Sequence, residues 1–277
     1  MFVVGGGWVV SVSIRFCLQC HLITKFQMGN ATKSWDSAYM CNQMLKYAKE
    51  YKRVLQIEYR TSQGPPHAPQ GAFPAAIIDA LMGYNYLVNT LGFMPSNILI
   101  TGESAGGNLA FALTRYLVQS KFPLLPPPRA QFLLSPTADW GQSHVGPNSA
   151  MVKNDRSDFV HWFIKGYATR ALLGNLSPED MYTNSWISPG GARLPHVEGR
   201  FSGMPPTLIM AGDAEYTLDG MKVLRDRLLA DNGEGVIKYI ELPDTTHVVM
   251  TWPWHQPEST QAFEMFAQWV NDVYGTK

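Results

Sequence analysis

Residues 98–118 read ILITGESAGGNLAFALTRYLV. Ile98 to Thr101 form a short apolar run of strand type. Gly102-Glu103-Ser104-Ala105-Gly106 follows, and from Asn108 to Val118 the pattern predicts a helix. Strand, turn and helix are the setting in which G-x-S-x-G carries chemistry. The tight turn lifts the Ser104 hydroxyl above the end of a sheet, and the helix aims its free N–H groups and positive end at the same point. The pentapeptide alone is weak, because a chain with 24 glycines forms such spacings by chance. The plain alternative is a small-residue turn that packs a helix on a strand. The flanking elements favour a nucleophilic serine.

Outward from this unit, strand-like and helix-like runs alternate, the pattern of a mostly parallel sheet with helices on its faces. Strands are predicted at Phe2–Val4, Val54–Tyr59, Asn97–Thr101, Ala130–Leu134, Thr207–Ala211 and Val236–Leu242. Helices are predicted from Ser34 to about Glu50, Pro74 to Gly92, Gly220 to Ala230 and Ser259 to Tyr274. Residues 141–203 break the alternation, with a helix expected from Asp155 to Leu173 and a start signal at Ser177 in SPED. An insertion of that length is read as a lid over a pocket rather than a packing subdomain. The chain is thus one α/β domain, residues 1–277, with the insertion inside it. Residues 11–33 show no clear period.

A serine nucleophile needs a base, and the base needs an acid to orient it. In hydrolases of this architecture the chain order is Ser, then Asp or Glu, then His. That order sorts the seven histidines. His21 and His67 precede Ser104, and His144, His161 and His196 lie in or near the insertion. His247 follows the last strand after the turn PDTT, with His255 its rival. The acid must follow the strand TLIMA, which offers Asp213, Glu215 and Asp219. Asp219 reads as the N-cap of the next helix, and pattern alone does not separate Asp213 from Glu215.

The composition agrees with a large core: 45% of the 277 residues are hydrophobic and 16% charged. Lys+Arg and Asp+Glu balance at 22 each, which gives no support for nucleic-acid or anionic-membrane binding. No run of ~18 apolar residues predicts a transmembrane helix. The apolar start, MFVVGGGWVV, lacks a basic leading region. It reads as a core strand and turn rather than a signal peptide, so a cytoplasmic location is expected. The three glycines Gly5, Gly6 and Gly7 remove three side chains and let a ligand approach backbone N–H groups. Cys17, Cys20 and Cys41 are an odd number, against a disulfide framework. Neither the C-x-x-C-H match at Cys17 nor a zinc site built on Cys17, Cys20, His21 and Cys41 has supporting spacing, so the thiols read as ordinary.

GGGW, GESAGGNLA, AGDAEYTLD and DTTHV together resemble the hormone-sensitive-lipase-like branch of the α/β-hydrolases, especially its fungal esterase members, over nearly the whole chain. The resemblance implies an α/β-hydrolase fold and a serine carboxylesterase that needs no cofactor or metal. It places the acid at the start of a D/E-x-x-x-D motif, which falls on Glu215 with Asp219 closing it, and keeps Asp213 as the alternative. It implies that Gly6, Gly7 and Ala105 donate N–H groups to an oxyanion. Trp8, Trp140 and Tyr216 would help line an apolar pocket for a small ester, although each is equally explained as core. Val4 stands where the family has histidine. The family also has a cap segment and two strands before this point, so the chain reads as truncated, its Val54–Tyr59 strand left as an open edge and self-association expected. The rival readings are a weakened or inactive ligand-binding relative of the fold, and an amidase using the same triad.

Overall fold

In the central strands neighbouring residues face opposite ways, and the core follows that period of two. The computed structural model describes residues 2–4, 35–164 and 166–275. Strands β1 (Phe2–Val4), β2 (Leu55–Gln56), β3 (Leu99–Glu103), β4 (Ala130–Leu134), β5 (Thr207–Gly212) and β6 (Ile237–Leu242) form one parallel sheet in the order β2-β1-β3-β4-β5-β6. Ile100, Leu133, Ile209 and Ala211 bury themselves on one face, beneath helices α2 (Ala75–Asn85), α3 (Ser104–Ser120) and α8 (Leu218–Asn232). Leu99, Phe132, Leu134, Leu208 and Met210 bury themselves on the other, beneath α1 (Trp35–Tyr47) and α9 (Glu258–Tyr274). Strands covered on both faces read as continuous apolar runs, which is why AQFLL and TLIMA were legible.

Chain order reverses between β1 and β3: the sheet grows one way to β2 and the other way to β6. Open α/β sheets form their crevices at such a switch point, beyond the carboxyl ends of the strands. Val4 lies opposite Gly102 in the register, so β1 and β3 deliver their ends side by side. Ser104 is the next residue after β3.

The differences from the predicted elements have local causes. α3 begins at Ser104 rather than Asn108, because the turn passes straight into helix. Among the described residues the run Val54–Tyr59 is paired at Leu55 and Gln56, opposite Phe2 and Val3. The predicted helix from Asp155 to Leu173 is broken into α5 (His161–Ile164) and α6 (Tyr167–Leu173). Gly166 between them has φ 84°, a left-handed conformation that cannot continue a helix. Upstream, Asp158 turns its side chain onto the Val160 N–H, a local bond that competes with helix formation. Residues 141–203 also hold α4 (Ala150–Lys153) and α7 (Asp180–Thr183). Asp219 does not cap α8, which starts one residue earlier. Its Oδ2 accepts the Ala150 N–H at 2.7 Å and so caps α4.

One glycine sets how closely α3 packs on the sheet. A Cβ on Gly107 would stand 2.9 Å from Pro136 Cα and Cβ, in the loop after β4. Gly235, by contrast, has nothing within 4 Å of where its Cβ would be. Gly107→Ala is expected to cost about 1–3 kcal/mol in urea denaturation, and Gly235→Ala less than about 0.5 kcal/mol.

Candidate active site

Ser104 sits between β3 and α3 with φ 51°, left-handed for a residue that has a Cβ. Such backbone costs on the order of 1–3 kcal/mol and persists only where neighbours hold it. The Thr137 N–H donates to the Ser104 carbonyl at 2.9 Å. One turn on, Asn108 Nδ2 donates to the carbonyls of Thr137 and Ile187, both at 3.0 Å. The start of α3 is thereby tied to the loop after β4 and to the 141–203 segment.

His247 lies five residues past β6 and is 2% exposed. Its Nε2 is 2.8 Å from Ser104 Oγ and its Nδ1 2.7 Å from Glu215 Oε2. An ionised carboxylate cannot donate, so Nδ1 carries the proton and Nε2 presents its lone pair to the serine hydroxyl. Glu215 is fully buried in the turn after β5. Its Oε1 accepts from Ser135 Oγ and from the Gly212 N–H, both at 2.7 Å. The Ser135 hydroxyl in turn accepts the Val248 N–H at 3.0 Å, so it bridges the acid to the base's own loop. Asp213 is exposed and away from this network, its backbone paired with Leu242 and Asn154. His255 faces Glu258 at 3.9 Å.

Asp158 was not singled out from the sequence, where it sits in an unremarkable charged run. It is 2% exposed. Its Oδ2 accepts the Tyr216 N–H at 2.7 Å and its Oδ1 the Val160 N–H at 3.1 Å. One atom each of Asp158, Glu215 and His247 lie within 4.8 Å of one another. That spacing would also suit a cation, yet each of the four carboxylate oxygens already accepts a bond from the protein. The cluster is therefore built as a hydrogen-bonded acid–base group. Burial pushes the His247 imidazole down, but the Glu215 hydrogen bond and the charges of Glu215, Asp158 and Glu103 outweigh it and hold His247 above the ordinary histidine value. Burial pushes the Asp158 carboxyl up, and His247 pulls it partly back.

Ala105, Trp140 and Tyr216 are buried together in one apolar cluster with Val160, Ile164 and Leu172 of the 141–203 segment. Phe159 sets its ring edge-to-face on His247 at 5.9 Å and on Trp252 at 5.9 Å. Trp252 Nε1 donates to the His247 carbonyl at 3.2 Å. Gly6, Gly7 and Trp8 lie outside the described residues, as do Cys17, Cys20 and His21. Cys41 is buried as a free thiol in α1. No helix among the described residues is long and apolar enough to cross a membrane.

This arrangement has relatives. An acetyl-hydrolase of Streptomyces hygroscopicus is 28% identical over 228 residues, 80% of this chain and 66% of that protein. An esterase of Acinetobacter venetianus is 29% identical over 175 residues, 63% of this chain and 50% of that protein. The chain thus spans half to two-thirds of the length of these curated relatives. Among solved structures, an esterase of the bacterial hormone-sensitive lipase family superposes with a TM-score of 0.64 at 26% identity, covering 85% of this chain and 70% of that one. A family model described as alpha/beta hydrolase fold matches residues 26–251, most of the chain. With its parallel sheet and a serine at the strand–helix turn of the switch point, the chain belongs to the alpha/beta hydrolase fold family.

Proposed function

We propose that this chain is a serine carboxylic-ester hydrolase that works through an acyl-enzyme. One observation carries the reading: a buried imidazole within hydrogen-bond reach of a serine hydroxyl on one side and a carboxylate on the other. Ser104 Oγ attacks the ester carbonyl carbon while its proton passes to His247 Nε2, and the carbonyl π pair moves onto oxygen. Glu215 keeps the ring in the right tautomer and stabilises the imidazolium that forms. The tetrahedral intermediate collapses and the carbon–oxygen bond to the alcohol breaks. His247 returns the proton to the departing oxygen. Water then repeats the sequence on the acyl-enzyme, with His247 again taking the proton, and the carboxylic acid leaves.

The oxyanion donors in this reading are the N–H groups of Gly6, Gly7 and Ala105. Ala105 is at the start of α3, where the first N–H groups of a helix have no partner within it. The glycines follow directly on β1, whose last residue is in register with Gly102. Residues 141–203 serve as the lid, with Trp140 and Tyr216 packing it onto the serine turn, and the substrate is a small apolar ester. A relative named esterase supports ester rather than amide substrates.

The reading is tested with p-nitrophenyl esters of graded acyl length and a fluorophosphonate probe. Ser104→Ala and His247→Ala are expected to abolish hydrolysis and labelling, while His255→Ala stays close to wild type. A His247→Ala protein that hydrolyses normally would show the base to be elsewhere.

Glu215→Gln is expected to lower kcat about 10⁴-fold, and Asp213→Asn to leave kcat within about threefold, as for an exposed group outside the network. Equal losses in the two variants would overturn the choice of acid.

The base acts only when neutral, so kcat/KM is expected to fall as pH drops through the His247 titration. Because His247 is held above the ordinary value, the half-maximal point is expected above ~6.5, the unperturbed histidine value. A limb well below that, in a pH–rate profile at saturating buffer capacity, would contradict the charge arrangement around the ring.

A further inference from the structure

We propose that Asp158 is a positioning residue of the site, a second buried carboxylate that acts through His247 by stabilising its protonated form and thereby couples the 141–203 segment to the reaction. The proposal rests on the reading of Ser104, His247 and Glu215 given above.

Three observations carry it. The side chain is almost fully buried, where a carboxylate is retained only with donors and opposite charge around it. Its two oxygens take one backbone N–H each. One of these belongs to Tyr216, the residue after Glu215, so the two acids are fixed relative to each other. A carboxylate oxygen of Asp158 and a ring nitrogen of His247 lie within 4.8 Å of each other. At that distance, with both residues 2% exposed, an ionised acid favours the imidazolium.

The groups facing His247 come from four places. Glu215 is in the turn after β5, Glu103 at the end of β3, Ser104 at the start of α3, and Asp158 between α4 and α5. The Phe159 and Trp252 rings beside it are uncharged. Asp158 is the charged group among these that comes from the 141–203 segment. Any displacement of the segment withdraws a negative charge from the base, so the imidazolium is best stabilised when the segment is seated.

The test uses the full chain. Asp158→Asn keeps the shape and removes the charge. Its kcat is expected to fall about tenfold with KM within about twofold, as for an interaction that strengthens in the transition state. The acid limb of kcat/KM, and the His247 ring titration followed by NMR, should both move to lower pH, because a neutral neighbour no longer favours the proton. Asp158→Glu, which keeps the charge, should hold both near the wild-type position. If Asp158→Asn does not fold, Asp158→Ser, which retains an acceptor for one N–H, carries the same expectation. A variant whose melting temperature drops while the limb and the ring titration stay in place would overturn the proposal, since Asp158 would then only pin the backbone. The NMR titration separates this from failure of the hydrolase reading. If the wild-type protein does not label with fluorophosphonate, the nucleophile assignment falls, while the shift of the His247 titration still decides what Asp158 does.

Discussion

A carboxylate sealed from water must find its donors in the protein or not be charged at all, and Glu215 finds three. Ser135 comes from the end of β4, Gly212 from the end of β5, and His247 from the loop beyond β6. Through His247 the chain of contacts reaches Ser104 at the end of β3. Four successive strand ends are thus held against one another by two side chains, Glu215 and His247. Each of the three bonds to Glu215 has an ionised partner and is worth more than a neutral one. Removing any one partner leaves a buried charge short of a donor, which costs more than the bond itself contributes. The sheet brings the loops to the same end, and Glu215 bonds three of them together there.

How much of this was legible in the sequence depended on the kind of signal. The strands announced themselves as short apolar runs, and five of the six held to within two residues, whereas Val54–Tyr59 is a strand only at Leu55–Gln56. The serine turn was legible because a strand, five small or polar residues and a helix leave little conformational choice. His247 emerged from chain order, a rule about topology rather than about local pattern. The choice between Asp213 and Glu215 was different. Propensity does not separate two carboxylates in one turn; the resemblance pointed to Glu215, and it is the Glu215 carboxylate that meets Ser135 and His247.

Asp158 and the broken helix around it were not legible, for related reasons. Apolar spacing over 155–173 fits a helix well, but it is blind to a glycine that takes φ 84° and to an aspartate that bonds its own chain two residues on. Asp219 misled in the same way. A carboxylate near a helix start reads as that helix's cap, whereas its oxygen serves α4, some seventy residues earlier in the chain. Polar side chains with long-range partners leave no periodic trace.

The length of chain between Ser104 and His247 has a consequence for how the molecule assembles. Ser104 and His247, whose side chains touch, are 143 residues apart in sequence. The contacts between them pass through every parallel strand pair from β3 to β6. Pairings of such long sequence separation form slowly and late, after shorter loops have closed. A partly assembled chain can possess the sheet, the helices and much of the core and still lack the distance between these two side chains. If the longest loops close last, as loop-closure entropy favours, the 2.8 Å separation would be completed after the far-ultraviolet dichroism has recovered on refolding.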